Sequence, residues 1–264
     1  MRIALIQFNA GSDKQDNWRR AAAMIEEAAS QGASLILLPE VFLWRGNTRD
    51  PRLLAQAAET MAGPHILKGM ALARGCQAHV LFGSVFEKAA GTKAYNTSIL
   101  IAPDGRIAAK YRKIHLFDAR IGDKIIRESD RIMPGRRGSV ARVGDFTLGL
   151  SVCYDLRFPA LYGGYARLGA NVLTVPSCFT KKTGQAHWEV LLRARAIENL
   201  SYVLAPNQVG KDAAGVEAYG NSMVVSPWGE VLACGSAEKE EIVYGDMDMK
   251  YVIEARKILP GVIQ

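Results

Sequence analysis

Cysteine and histidine are scarce in this chain of 264 residues, which holds four of each. The thiols, Cys76, Cys153, Cys178 and Cys234, are widely separated, form no Cys-x-x-Cys pair and stand at no zinc-ligand spacing from a histidine. Neither a metal site nor a disulfide framework is expected, and no cofactor is called for. Long apolar runs are also missing, and the apolar part of residues 1–8 is too short for a secretory signal, so neither a membrane span nor export is expected. No stretch rich in proline, glycine or serine divides the chain and no short repeat runs through it. These absences point to a soluble, cytoplasmic protein with residues 1–264 in one domain, long enough to bury a sizeable core.

The net charge of +7 raises the question of nucleic acid. Lysine and arginine are spread along the chain and outline no recognisable binding module, so no nucleic-acid partner is expected. Solvated surface charge accounts for most of the excess, and a pocket that favours anionic small molecules accounts for more.

Hydrophobic periodicity gives a strand over residues 2–8, a helix over 15–31 that stops at Gly32, and a nearly all-apolar strand over 34–40. Pro51 and Pro64 each open a helix. Strands over 80–86, 94–102 and 107–113 make an antiparallel meander, with a turn at Pro103-Asp104-Gly105-Arg106. Residues 114–138 read as a long connection, and connections of that length inside a compact domain are more often functional than idle. A strand ending at Cys153, a helix over 159–168, a buried strand over 171–177 and a strong helix over 187–200 follow. Three more strands (202–209, 222–226, 241–246) and a short helix over 251–258 close the chain. Strands and helices alternate in both halves, which predicts an α/β core of two sheets flanked by helices.

Four residues stand out. Phe146, Leu148, Leu150 and Val152 share one face of a strand that ends in Cys153, and Pro159 opens the next helix. The thiol thus sits at a strand-to-helix turn, where backbone N–H groups and a helix dipole favour a thiolate or cradle an oxyanion; the alternative is a small buried hydrophobe. Glu40 follows Leu37-Leu38-Pro39 directly, so its carboxylate is either paired, held for chemistry, or merely opens the next loop. Lys113 shares a strand face with Tyr111, away from Lys110 and Arg112, and points inward unless all three cations are solvated. Glu128, in the long connection, is by itself a surface acid.

Leu37-Leu38-Pro39-Glu40, Tyr111-Arg112-Lys113-Ile114-His115-Leu116-Phe117 and Cys153-Tyr154-Asp155-Leu156-Arg157-Phe158-Pro159 stand in the order found in the nitrilase superfamily, the carbon–nitrogen hydrolases with a Glu-Lys-Cys triad. The chain resembles that family from its first strand to Pro227-Trp228-Gly229. The resemblance implies an αββα four-layer sandwich with two mixed sheets and a homodimer paired through the helix after the nucleophile and the last helices. It implies Glu40, Lys113 and Cys153 as the triad, acting through a thioester with release of ammonia. Glu128, in Glu128-Ser129-Asp130-Arg131-Ile132-Met133-Pro134-Gly135, matches an additional active-site glutamate of many members. Amide hydrolysis by such a triad calls for oxyanion donors, for which Lys113 and the backbone N–H of Tyr154 are expected, and a substrate carboxylate calls for a grip by Arg157 or another basic side chain.

Cys153 to Pro159 and the run Trp188-Glu189-Val190-Leu191-Leu192-Arg193-Ala194-Arg195-Ala196-Ile197-Glu198 look like the branch of deaminated-glutathione amidase and ω-amidase, and the second run is closer to the former. The leading expectation is an amidase for a small carboxylate-bearing carboxamide of the deaminated-glutathione type. The alternatives are an ω-amidase on α-keto acid amides, an N-carbamoyl amino acid hydrolase, and a non-catalytic interaction protein that kept the sandwich. The segment Phe42-Leu43-Trp44-Arg45-Gly46-Asn47-Thr48 follows no branch pattern, so the 42–50 and 114–138 loops are left to set specificity. Whether Cys178 and His187 line the pocket is open at this level.

Overall fold

A computed structural model describes residues 1–121, 124–212 and 215–260. Its two large sheets have six strands each. The first runs, edge to edge, Glu241–Asp246, Arg2–Gln7, Leu35–Leu37, His79–Lys88, Ala94–Ile101, Ile107–Arg112; the second runs Val231–Cys234, Met223–Val225, Tyr202–Ala205, Val172–Thr174, Phe146–Leu150, Val140–Val143. Each sheet keeps three parallel strands together, Arg2–Gln7, Leu35–Leu37 and His79–Lys88 in one, Phe146–Leu150, Val172–Thr174 and Tyr202–Ala205 in the other, with antiparallel strands outside them.

Strand alternation builds the layers. Leu5, Leu37, Leu81 and Tyr111 of the first sheet meet Leu148, Leu150, Val172 and Leu204 of the second in a shared inner core. The opposite face of the first sheet (Ala4, Ile36, Val80, Ile99) packs on helices Lys14–Ser30 and Pro64–Cys76 through Trp18, Ile25 and Ile66. The opposite face of the second (Leu173, Val203, Val225) packs on helices Pro159–Arg167 and Lys181–Asn199 through Tyr162, Trp188 and Leu192. The result is the α/β, αββα four-layer sandwich with two mixed sheets expected from the sequence. Among the described residues no helix is long and apolar enough to cross a membrane.

The structure corrects the reading at several points. The connection 114–138 is not structureless: Asp118–Ile121 pairs with Lys124–Arg127 as a hairpin, followed by a turn of 3₁₀ helix at Glu128–Asp130. The helix expected over 187–200 starts earlier, at Lys181. Strands Val140–Val143 and Val231–Cys234 and the hairpin of Val209–Lys211 with Glu217–Tyr219 were not anticipated, because three or four residues carry too few periods to read. Trp44 and Arg45, in the 42–50 loop left to set specificity, are buried, and the Arg45 guanidinium donates to the Val216 carbonyl at 2.9 Å.

Two buried carboxylates brace the first sheet. Burial pushes the Glu87 carboxyl up, but hydrogen bonds from Arg112, Lys110 and Thr97 outweigh it and hold the pKa at about 2; Glu59 is held at about 2 by His65 and Lys14 against the same burial. Both folded values lie below those of the unfolded chain, so their contribution is complete above about pH 4.5 and is lost as pH falls toward 2. Unfolding midpoints measured across that range are expected to fall steeply, and Glu87→Gln to flatten the fall while lowering stability at pH 7.

Candidate active site

The elements deliver their polar ends to one place. Glu40 lies past the C-terminal end of strand Leu35–Leu37, Lys113 past Ile107–Arg112, Cys153 past Phe146–Leu150 and Cys178 past Val172–Thr174. The carboxyl ends of strands are where open α/β sheets place ligands, since side chains there leave the core. Gly83 permits the convergence: a Cβ on it would stand 1.8 Å from the Leu38 carbonyl oxygen and 2.5 Å from Pro176 Cβ. Only the missing side chain lets the segments carrying Glu40 and Cys178 close over this strand.

Cys153 has φ of +51°, a left-handed conformation costly for a residue with a Cβ. Its N–H donates to the Pro176 carbonyl at 3.0 Å, and Asp155 fastens the turn. Asp155 is fully buried; its Oδ2 accepts from the Val152 N–H at 3.0 Å and the Tyr111 hydroxyl at 2.8 Å, and its Oδ1 from the His115 N–H at 2.9 Å. The turn that carries Cys153 is thereby tied to the segment that carries Lys113.

Lys113 and Glu40 are 2% and 5% exposed, so their pairing is not a surface event. The Lys113 ammonium donates to Glu40 Oε1 at 2.9 Å and to Glu128 Oε2 at 2.9 Å. Desolvation works against its charge, but the Glu128 and Glu40 carboxylates outweigh it and hold its pKa well above the ordinary ammonium value. Lys113 is therefore charged throughout the working pH range. Glu128, expected at most as a surface acid from the chain alone, also accepts from the Phe117 N–H at 2.6 Å. The other oxygen of Glu40, Oε2, accepts from the Cys178 N–H at 2.9 Å, and the Glu40 carboxylate stands beside the Cys153 thiol.

That thiol corrects one expectation. Burial pushes the Cys153 pKa well up, the Glu40 charge adds to the rise, and Lys113 only opposes it. The turn does not hold a resting thiolate; it holds a protonated thiol against a carboxylate.

A cavity of about 700 Å³ opens on this cluster and is lined by Glu40, Asn96, Lys113, Glu128, Cys153 and Cys178. Arg49, Arg127 and Arg131 stand around its wall. A smaller recess beside it is lined by Cys153, Tyr154, Arg157, Cys178, Phe179, Thr180 and Thr183. A family model for carbon–nitrogen hydrolases matches residues 2–257.

The chain belongs to the carbon–nitrogen hydrolase family, within the nitrilase superfamily.

This hydrolase is 42% identical over 260 residues to the omega-amidase NIT2 of Homo sapiens, with 98% of this chain and 92% of that protein covered. The structure of Saccharomyces cerevisiae Nit3, a member of branch 10 of the nitrilase superfamily, superposes with a TM-score of 0.89 at 32% identity, covering 99% of this chain and 94% of that one. An amidase from Nesterenkonia sp. AN1, solved with acrylamide added at its active site cysteine, matches with a TM-score of 0.80 at 26% identity over 98% of both chains. The protein is an amidase of this superfamily, acting on carbon–nitrogen bonds other than peptide bonds.

Cys178 lines both cavities of the hydrolase, whereas His187 lines neither and lies 3.4 Å from the Arg157 guanidinium. Thr48 and Arg49 of the unassigned loop, and Ile125 to Glu128 of the long connection, reach the main cavity. Sequence reasoning missed Asn96, whose Nδ2 lies 2.9 Å from Glu40 Oε1 and 3.4 Å from Glu128 Oε1. The available signal was the polar run Asn96-Thr97-Ser98 inside an otherwise apolar strand, all three of them buried. Buried polar groups are there for a partner.

Proposed function

We propose that this amidase is an ω-amidase, which hydrolyses the terminal carboxamide of a small α-keto acid through a thioester on Cys153 and releases ammonia. The observation that carries the mechanism is the place of the Glu40 carboxylate, bonded to Lys113 through Oε1 and standing beside the Cys153 thiol. The substrate class is supported by 42% identity to a relative named omega-amidase, the alternative that the sequence ranked behind the deaminated-glutathione type.

In this reading Glu40 Oε2 takes the thiol proton as sulfur attacks the carboxamide carbon. A protonated resting thiol suits that order, because the proton leaves only when the substrate is in place. At rest Lys113 donates to Glu40 Oε1 and to both oxygens of Glu128, the longest of these bonds being 3.2 Å; that weak donor turns to the developing oxyanion, joined by the Tyr154 N–H. One such donor is typically worth about 3 kcal/mol. Glu40 passes its proton to the departing nitrogen, the C–N bond breaks, and ammonia leaves a thioester. Glu40 then takes a proton from water, whose oxygen attacks the thioester carbon; the acid departs and sulfur regains the proton. Glu128 orients Lys113 and keeps it charged.

Arg157 lies beside Cys153 with its guanidinium over the rings of Tyr154 and Phe179, at 5.6 and 5.4 Å. A planar, stacked guanidinium is well formed to take the carboxylate end of an α-keto acid. Ammonia release from 2-oxoglutaramate is expected to exceed that from deaminated glutathione in kcat/KM, and the reverse order overturns the substrate assignment. Arg157→Ala is expected to raise KM for 2-oxoglutaramate about tenfold or more with a smaller change in kcat, since a carboxylate grip is used in ground and transition states alike.

The same reading includes a homodimer. It is supported by large apolar side chains left exposed on the elements that would meet, Leu168, Val190, Ile197 and Ile253. Such a patch is costly in a lone subunit.

A further inference from the structure

Asn96 holds a position that the mechanism above does not use. Its side chain is buried at 1% exposure on strand Ala94–Ile101, and it lines the main cavity. Its Nδ2 bridges Glu40 Oε1 at 2.9 Å and Glu128 Oε1 at 3.4 Å, and the Lys113 ammonium reaches the same two oxygens at 2.9 and 3.2 Å. Two donors and two acceptors therefore close a ring. With carboxylates on that side, the amide must present its nitrogen to them, and its Oδ1 is left buried with no hydrogen-bond partner. An orphaned buried carbonyl is a cost that a merely structural asparagine would not carry.

The ring has a chemical consequence. Two carboxylates and one ammonium leave one negative charge in excess, and a carboxylate held by lysine alone can turn about its Cγ–Cδ bond and exchange its oxygens. The second donor on Oε1 prevents that exchange. Oε2 is then left with the Cys178 N–H, at 2.9 Å, free of both ring donors on a carboxylate that stands beside the Cys153 thiol.

We infer that Asn96 is a positioning residue for the amidase reaction: it pins Glu40 Oε1 in the ring with Lys113 and Glu128, and so reserves Oε2 for the proton exchanged with Cys153. The inference rests on the proposed role of Glu40 as the proton carrier. The backbone of Asn96 reinforces the arrangement, since its carbonyl accepts from the Lys113 N–H at 2.8 Å and sets lysine and asparagine in register.

The test compares Asn96→Asp, which keeps the shape and loses both N–H donors, with Asn96→Ala. The alanine variant brings in no charge and keeps the test open should the aspartate variant fail to fold. Both are expected to lower kcat about 100-fold with KM changed less than about threefold, the size of effect that follows a misplaced catalytic group. Losing a donor to a carboxylate favours its protonated form, so the acid limb of kcat/KM moves to higher pH by about one unit in Asn96→Ala. Iodoacetamide labelling of Cys153 at pH 7, read by mass spectrometry of the cysteine peptide, speeds up about threefold or more in the same variant, because a displaced Glu40 charge no longer holds the thiol pKa as high. The labelling needs no substrate, so it separates the two ideas: wild-type protein that releases no ammonia from any carboxamide overturns the amidase mechanism. An Asn96→Ala variant with unchanged labelling and an unmoved acid limb overturns the role of Asn96.

Discussion

Replacing Cys153 by alanine is expected to bring ammonia release down to the uncatalysed background, a loss of at least about four orders of magnitude, because in the proposed mechanism no other group forms the thioester. The fold is expected to survive. Alanine keeps the Cβ, the backbone bonds of the turn to Pro176 and of Val152 to Asp155 do not involve the sulfur, and the strained φ is no worse for alanine than for cysteine. A melting temperature within about 2 °C of the parent, on a scale where about 1 kcal/mol moves it by 2 to 4 °C, shows that the chemistry and not the structure was removed. Cys178→Ala is the control. That residue supplies Glu40 with a backbone N–H, which alanine keeps, so most activity remains. Turnover retained by Cys153→Ala, or lost equally in both variants, is incompatible with Cys153 as the nucleophile.

Lys113→Ala is expected to lose at least about three orders of magnitude in kcat, more than the 10²–10³ typical of one oxyanion donor, because two functions go together. In the proposed mechanism the developing oxyanion loses its cation, and Glu40 and Glu128 are left facing each other without the charge between them. Removing one partner of a buried ion pair typically costs about 3–5 kcal/mol, so this variant is also less stable. Its pH dependence identifies the cause. Two buried carboxylates with no cation hold a proton into neutral pH, so a folded value raised above the unfolded one gives stability at low pH that is lost as pH rises. Between pH 8 and pH 5 the variant gains stability, whereas the parent has no such gain because Lys113 stays charged throughout. A variant that changes KM alone, or that melts alike at pH 5 and pH 8, contradicts the pairing of Lys113 with both acids.

These two residues also show how unevenly the site could be read in advance. Cys153 and Lys113 announce themselves through alternation: a period of two places Val152 and Tyr111 in the core and so fixes which neighbours end the strand. Glu40 announces itself because an acid directly after a buried apolar strand needs a partner. Glu128 gives no such signal. It sits in a 3₁₀ turn after a short hairpin, and its bond to Lys113 joins residues whose proximity no local pattern encodes. Asn96 was passed over because a polar residue within a strand ordinarily faces water, whereas here it is buried against Glu40 and Glu128, which arrive from separate segments.

The sequence by itself determined the layers, the family resemblance and the strand ends at which function sits, because periodicity and turn chemistry are properties of a few adjacent residues. Tertiary structure decided the rest. It alone set how the two oxygens of Glu40 are shared, since that depends on Asn96, Lys113 and the Cys178 N–H arriving from three separate segments. It alone set the state of Cys153, since the strand-to-helix turn by itself favours a thiolate while burial beside Glu40 keeps the proton on sulfur. Desolvation and the field of distant charges are sums over the folded molecule, and no stretch of chain contains them.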